Sequence, residues 1–165
     1  MAPSAIVYTS HTGFTARYAG MLARASGIPS YDLASGEQPP AGTSILFLGW
    51  LCAGRIRGLA KARRRWSVQA VCAVGMAEYK PENTAKLIQD NNLGEHPFFY
   101  LRGGYAPERL RGIYRLMMAP MTRSVLRAPA ETQEQRAMQE AFRSGGSWMS
   151  EEQLSSVLDW LDQQR

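Results

Sequence analysis

The sequence predicts an α/β fold built on an open parallel sheet of five strands in the order 2-1-3-4-5, with helices on both faces and extra helices at the C-terminal end. Short apolar runs alternate with stretches of helical periodicity, as in strands joined by right-handed crossovers. Glycines follow the first, third and fourth strands, where this strand order places a ligand crevice. A chain of 165 residues, 45% hydrophobic, is expected to form one domain, with a core at about 4–120 and a helical extension at about 121–165.

The first predicted strand, 4–9, is a nearly continuous apolar run, and a predicted helix, 13–26, follows it. Three hydroxyl residues, Ser10, Thr12 and Thr15, lie in the turn between them and at the start of the helix. The full segment contains Ser10, His11, Thr12, Gly13, Phe14 and Thr15. Amides at a helix N-terminus lack intrahelical partners and attract anions, so this 10–15 loop predicts a phosphate seat. No Lys or Arg lies within it, so a phosphate there is expected to be held by amides and hydroxyls without a neutralising cation, which favours a permanently held monophosphate over a triphosphate awaiting transfer.

The later elements follow from apolar runs, turn residues and helix signals. In chain order we predict a strand at 30–33, a loop at 34–43, a strand at 44–49, a basic helix at 55–66, a strand at 68–74, a helix at 81–91, a strand at 97–101 and a helix opened by Pro107. Pro120 is expected to kink or end that last helix. Two closing helices are predicted at 132–142 and 150–164, the second with a capping box between Ser150 and Gln153.

Composition narrows the functional classes. The two cysteines are too few for a disulfide framework and match no zinc spacing with the two histidines, so no metal site is predicted and a reducing, cytoplasmic location is expected. No apolar run is long enough to span a bilayer, so we expect a soluble protein. Nucleic acid is disfavoured as a partner, since no recognised module accompanies the basic residues.

Charge is unevenly distributed along the chain. Residues 1–130 carry 16 basic against 7 acidic side chains, a net charge of +9, whereas residues 131–165 carry 3 against 7, a net charge of −4. The basic part predicts either a solvated surface or attraction to a phospholipid surface or a carboxylate-bearing substrate. Segment 109–127, rich in Arg and Met, is interpreted either as a helix packed on the sheet or as a surface in peripheral contact with an anionic membrane, at its inner face.

Several chemistries that use this architecture lack their residues here. The predicted first and third strands end in Thr9-Ser10 and Gly49-Trp50, not in the carboxylates of a phosphoacceptor domain. A Gly-x-Ser-x-Gly elbow and a Gly-x-Gly-x-x-Gly fingerprint after the first strand are both missing. Glu78 is interpreted as an exposed loop acid. No catalytic residue is predicted, so the crevice is expected to hold a cofactor that brings its own chemistry.

The 10–15 loop resembles the flavin mononucleotide (FMN) phosphate loop of flavodoxins, and 48–54 and 98–105 resemble the third and fifth strands of the same group. Together the resemblance covers about residues 4–120 and implies a flavodoxin-like three-layer sandwich. The Gly103-Gly104 turn, the basic, Met-rich 109–118 and the late Trp148 resemble the menaquinone-dependent protoporphyrinogen IX dehydrogenase branch. Thr122-Arg123-Ser124 departs from the Thr-Gly-Gly expected there.

The resemblance implies an FMN-binding protein that transfers electrons through the flavin to a redox partner protein, a small molecule or a quinone. Two alternatives stay open: a protoporphyrinogen-dehydrogenase-like oxidoreductase with a quinone acceptor, and a flavodoxin-fold binding module without cofactor. The cofactor-binding residues would come from three loops: Ser10, His11, Thr12, Gly13, Phe14 and Thr15; Gly49, Trp50, Leu51, Cys52, Ala53 and Gly54; Gly75, Met76, Ala77, Glu78 and Tyr79.

Individual roles within that set are expected as follows. His11 would donate its amide while its ring faces solvent, and Trp50 would stack on the flavin ring, or else be a core aromatic at a strand end. Cys52 is interpreted as a small apolar filler in preference to a redox thiol, and Cys72 as a core residue.

Overall fold

The computed structural model describes all of residues 1–165. In chain order the elements are β1 Ala5–Tyr8, α1 Phe14–Ser26, β2 Ser30–Asp32, β3 Ser44–Cys52, β4 Arg55–Ile56, α2 Leu59–Arg65, β5 Ser67–Gly75, α3 Pro81–Asp90, β6 Phe98–Arg102, β7 Gly104–Tyr105, α4 Ile113–Arg127, α5 Gln133–Ser144, β8 Gly146–Ser147 and α6 Ser155–Gln163. Short 3₁₀ turns at Pro107–Arg109 and Glu151–Leu154 precede α4 and α6.

Five parallel strands form the central sheet in the order β2-β1-β3-β5-β6. Numbered by their succession as parallel strands, this is the predicted order 2-1-3-4-5, and the predicted fold class is confirmed. The strands are aligned, since Tyr8 pairs with Leu48, Leu48 with Cys72, and Cys72 with Phe99. Their carboxyl ends therefore meet at one edge, and chain order reverses there between β1 and β3.

Two buried clusters show why the sheet is covered on both faces. Ile6, Leu46 and Leu48 point to one face and pack with residues of α1 and α6. The alternate residues Val7 and Phe47 point to the other face, in a cluster that includes residues of α2 and, at its margin, α3. The period-two alternation of fully apolar strands thus fills two cores at once, which explains the continuous apolar runs.

A third, smaller cluster joins the C-terminal helices to the carboxyl edge of the sheet. Tyr105 stacks on Phe142 with ring centroids 4.6 Å apart, and Met118, Val125 and Leu126 of α4 pack against this cluster. The antiparallel pairing of β7 with β8 ties α5 to the chain leaving β6. The helix pair α4–α5 is thereby held beside the carboxyl edge of the sheet.

A β-hairpin replaces the beginning of the helix predicted at 55–66. β3 continues to Cys52, turns through Ala53 and Gly54, and pairs antiparallel with β4 before α2 begins at Leu59. Both turn residues have positive φ, 50° and 76°, as a two-residue hairpin turn of type I′ requires. The side chain of Asn91 fixes this hairpin by accepting from the amide of Ile56 at 2.8 Å and donating to the carbonyl of Gly54 at 2.9 Å.

Two further predictions about the C-terminal part need correction. α4 does not end at Pro120 but continues through it; the missing N–H there leaves the Leu116 carbonyl without its usual partner, and both residues are exposed, so water can satisfy that carbonyl. No capping box forms at Ser150, because Gln153 accepts from the amide of Arg102 at 2.6 Å. The capping box lies instead at Thr132 and Gln135, at the start of α5.

No helix of the protein combines the length and the apolar character that crossing a membrane requires.

Candidate functional site

A cavity of about 420 Å³ opens at the carboxyl edge of the sheet, within the range common for small-molecule sites. The residues that line it from the three predicted loops are Ser10, His11, Thr12, Phe14, Thr15, Trp50, Leu51, Cys52, Ala53, Gly75 and Met76. The loops after β1, β3 and β5 therefore meet around one space. Most of the lining side chains are hydrophobic, and hydroxyl groups concentrate at the 10–15 loop.

The other residues of the predicted set lie outside this cavity. Gly13 supports the 10–15 loop through its backbone, and Gly49 is buried inside β3, where a Cβ atom would come within 2.6 Å of the carbonyl oxygen of Arg57. Gly54, Ala77, Glu78 and Tyr79 border a second, smaller cavity of about 250 Å³. Leu51 borders both cavities and forms part of the wall between them.

Backbone geometry prepares the 10–15 loop for an anion. Gly13 has a φ of 104° and donates its amide to the hydroxyl of Ser10 at 3.1 Å, which tightens the turn before α1. The amides of Phe14, Thr15 and Ala16 have no protein acceptor, because the first helical hydrogen bond runs from Arg17 to Gly13. The hydroxyls of Thr12 and Thr15 have no protein partner either and line the cavity.

Two arginines from distant sequence approach this loop. The Arg109 guanidinium donates to the carbonyl of Thr12 at 3.2 Å, and that of Arg111 donates to the carbonyl of His11 at 3.4 Å. Neither arginine has a carboxylate partner. The sequence prediction that the anion seat lacks a neighbouring cation is therefore wrong, because the chain supplies the cations a hundred residues later.

His11, Trp50 and Tyr114 form a compact aromatic cluster at the cavity. The His11 ring stacks on Trp50 at a centroid distance of 5.2 Å and meets Tyr114 edge-on at 4.7 Å, while Trp50 meets Tyr114 at 4.8 Å. The expectation that the His11 ring faces solvent is wrong. Its stacking partners lie in β3 and α4, so no local sequence signal identifies them.

The surroundings of His11 favour its neutral form. Partial burial, and then the positive charge of Arg111, lower the pKa of the His11 ring. Its Nε2 accepts from the backbone amide of Arg111 at 3.3 Å, which places the ring proton of the neutral form on Nδ1. The ring therefore serves as a packing and hydrogen-bonding group, and the backbone amide of His11 remains available to a ligand.

The outer wall of the cavity comes from α4 and was not part of the predicted set. It includes Tyr114, Met117, Met118 and Met121, and β7 adds Gly104 and Tyr105. The Met-rich character of 109–127 is the signal that could have identified this wall. A helix with methionines on one side and no buried residue suits the covering of a site better than the covering of a sheet.

The two free cysteines differ in exposure, so we expect them to differ in reactivity. Cys52 lines the cavity and is partly exposed, whereas Cys72 is fully buried in β5, where burial raises the pKa of its thiol. An aromatic disulfide reagent is expected to modify one thiol per folded chain and two in urea, as counted by thiolate release. The Cys52→Ser variant is the control, and it should release none while folded. Two rapidly reacting thiols in the folded protein would contradict this assignment.

No group of three or more His, Cys, Asp or Glu side chains is arranged to hold a metal ion. No protein-family model matches the chain, and no curated protein matches it significantly in sequence.

Proposed function

We propose that the protein binds FMN at the carboxyl edge of its sheet and transfers electrons through the bound flavin. One observation carries the proposal: unpartnered amides and hydroxyls of the 10–15 loop lie at one end of a largely apolar cavity. A phosphate needs many hydrogen-bond donors and a flavin ring needs apolar walls, and the cavity offers both. In proteins with this strand order, FMN sites lie beside β1 and β3, at the point where the order of the strands reverses.

The residues present fit this cofactor. Thr12, Thr15 and the free amides around them would hold the phosphate, with Arg109 and Arg111 adding positive charge nearby. Trp50, Met76 and the α4 methionines would enclose the ring and exclude water. The flavin would supply the redox chemistry, while these side chains and the peptide groups of β3 and β5 would set its environment.

An oxidoreductase acting on a hydrophobic, acidic substrate is the second candidate. Its substrate would resemble a protoporphyrinogen-like tetrapyrrole, with a quinone as the electron acceptor. The observation that favours it is the composition of the mouth, where methionines of α4 lie beside arginines without carboxylate partners. Arg57 adds to this set, since its guanidinium lies 5.8 Å from the centroid of the Tyr114 ring.

A binding module without cofactor is the third candidate. The stacking of His11 on Trp50 favours it, because one ring of the protein already occupies a face that a flavin would use. For FMN to stack there, the His11 ring has to swing away or the flavin has to take the opposite face of Trp50.

Visible absorption of the purified protein, with mass identification of any extracted ligand, tests the first proposal. FMN binding predicts a flavin spectrum or, after FMN addition, quenching of flavin fluorescence with saturation at one site. A protein that stays colourless and leaves FMN fluorescence unchanged would refute both redox functions and leave the binding module.

If FMN binds, anaerobic mixing with protoporphyrinogen and menaquinone separates the first two functions. The enzyme function requires porphyrin to form faster than in a control with free FMN. An equal rate leaves electron transfer to a protein or small-molecule partner, which we propose occurs in the cytoplasm, where both cysteines would stay reduced.

A further inference from the structure

The outer side of α4 carries most of the strongly exposed large hydrophobic side chains of the protein. Six large hydrophobic side chains of the protein are strongly exposed, and four of them lie on α4: Ile113 (65%), Leu116 (75%), Met117 (47%) and Met121 (49%). Scattered exposed hydrophobics are ordinary, but four within nine residues of one helix form a patch. Such a patch in a folded protein indicates an interaction surface.

Positive charge accompanies this patch without a compensating acid. Arg115, Arg123 and Arg127 of α4 are exposed, Arg123 and Arg127 on the side of the helix that carries Leu116, and no Asp or Glu occurs between Glu108 and Glu131. None of these arginines forms a salt bridge. Their charge is therefore available to an anionic partner.

The inner side of α4 is occupied, which leaves the apolar and basic side free. Met118, Val125 and Leu126 pack toward α5, and Gln139 of α5 donates to the carbonyls of Val125 and Ala128 at 3.1 and 2.7 Å. α4 is thus already folded and oriented before it meets a partner. Its 15 residues make a rod about 22 Å long, suited to lying along a surface.

We propose that the outer side of α4 docks on an anionic phospholipid surface, with the helix axis parallel to the membrane plane. A basic helix with one apolar side binds the interface by inserting that side among the acyl chains while its cations meet lipid phosphates. Arginine favours this partner because it pairs with phosphate in two hydrogen bonds. Methionine and leucine chains adapt to a fluid phase.

The docked orientation has a consequence for the cavity. Met117 and Met121 belong both to the exposed patch and to the cavity lining, so the cavity mouth lies at the membrane contact. An apolar molecule dissolved in the bilayer could then reach the cavity past these two side chains. Docking itself needs no flavin, so it stands or fails independently of the proposed function.

Sedimentation of the full chain with vesicles tests the docking. Phosphatidylcholine vesicles are compared with vesicles that also contain phosphatidylglycerol, at about 0.1 M salt, where charges act over roughly 10 Å. We expect binding to the anionic vesicles only, and a loss of at least about tenfold near 1 M salt, where the range falls to roughly 3 Å.

Two α4 variants separate the two contributions. Arg123→Gln with Arg127→Gln should weaken partitioning about 25-fold, since each arginine near such a surface contributes about fivefold. Ile113→Gln with Leu116→Gln keeps every charge and should weaken it at least about tenfold through lost apolar insertion. All four side chains are exposed, so urea unfolding should match the wild-type protein.

Lys61→Gln with Arg64→Gln on α2 is the matched control. It removes the same charge from exposed side chains that make no hydrogen bond, on a helix that covers a face of the sheet and belongs to a different cluster from α4, and should change partitioning less than about threefold. An equal loss in this control would show attraction to overall charge and overturn the α4 assignment. A wild-type protein that stays in the supernatant, or an Ile113/Leu116 variant that binds normally, would also overturn it.

Discussion

Replacing Thr12 and Thr15 by valine together is expected to weaken FMN binding about 100-fold. Both hydroxyls line the cavity beside the free amides of the 10–15 loop and have no protein partner of their own. Each would donate to a charged phosphate, and losing two such bonds costs about 3 kcal/mol in total. Fluorescence titration of FMN against wild-type and variant protein measures the change.

Riboflavin provides the internal control for this experiment, because it has the same ring and no phosphate. Its affinity should change less than about threefold, as the ring would contact Trp50 and methionines that the variant retains. Thr84→Val, on α3 and outside this cavity, is the matched variant and should bind FMN normally. Unchanged FMN affinity in the double variant, with normal affinity of the wild type, would show that the anchor lies elsewhere in the cavity.

Gly104→Val is expected to lower the free energy of unfolding by more than about 3 kcal/mol. A Cβ atom at Gly104 would overlap the carbonyl oxygen of Gly146 in β8 and lie 2.7 Å from a ring carbon of Phe14. The first neighbour is backbone held by the β7–β8 pairing, and the second is a buried aromatic side chain. Moving either one would therefore break strand pairing or core packing. Urea unfolding followed by far-ultraviolet circular dichroism measures the effect.

Gly36→Val is the matched control for this substitution. Gly36 lies in the exposed loop after β2, and a Cβ atom there would meet nothing within 4 Å. The free energy of unfolding of this variant should stay within about 0.5 kcal/mol of the wild type. A Gly104→Val protein as stable as Gly36→Val would mean that β7 and β8 do not pair as described.

The sheet and its order were predictable because strands buried on both faces leave a strong trace in sequence. Runs such as Ile45-Leu46-Phe47-Leu48 have no polar residue, and the crossover rule leaves few ways to connect them. The 10–15 loop was predictable for the same local reason, since its hydroxyls and Gly13 lie directly between a strand and a helix.

What sequence reasoning missed depends on contacts between distant segments. The hairpin at Ala53-Gly54 places a non-glycine residue at positive φ, and Asn91, the residue after the end of α3, stabilises that turn. The Gln153 side chain accepts from the backbone amide of Arg102 in β6, so it does not form the predicted capping box. Neither partner can be recognised from the residues that surround the missed feature.

The sequence predicted the loops at the carboxyl edge that line the cavity, but not the wall that α4 contributes. The loops after β1, β3 and β5 follow from topology, whereas the approach of α4 depends on packing between α4 and α5. The contacts of Tyr114 with His11 and Trp50 depend on that approach, and the contacts of Arg109 and Arg111 with the 10–15 loop come from the segment just before α4.

One feature of α4 bears on the rate at which the cavity exchanges its contents. The helix has no buried residue, whereas β3 on the opposite wall has six in succession. Elements with little buried surface open locally at a small fraction of the free energy of global unfolding. Amide hydrogens of α4 should accordingly exchange much faster than those of β3. The rate of ligand entry is then set by local opening of α4, while the sheet stays folded.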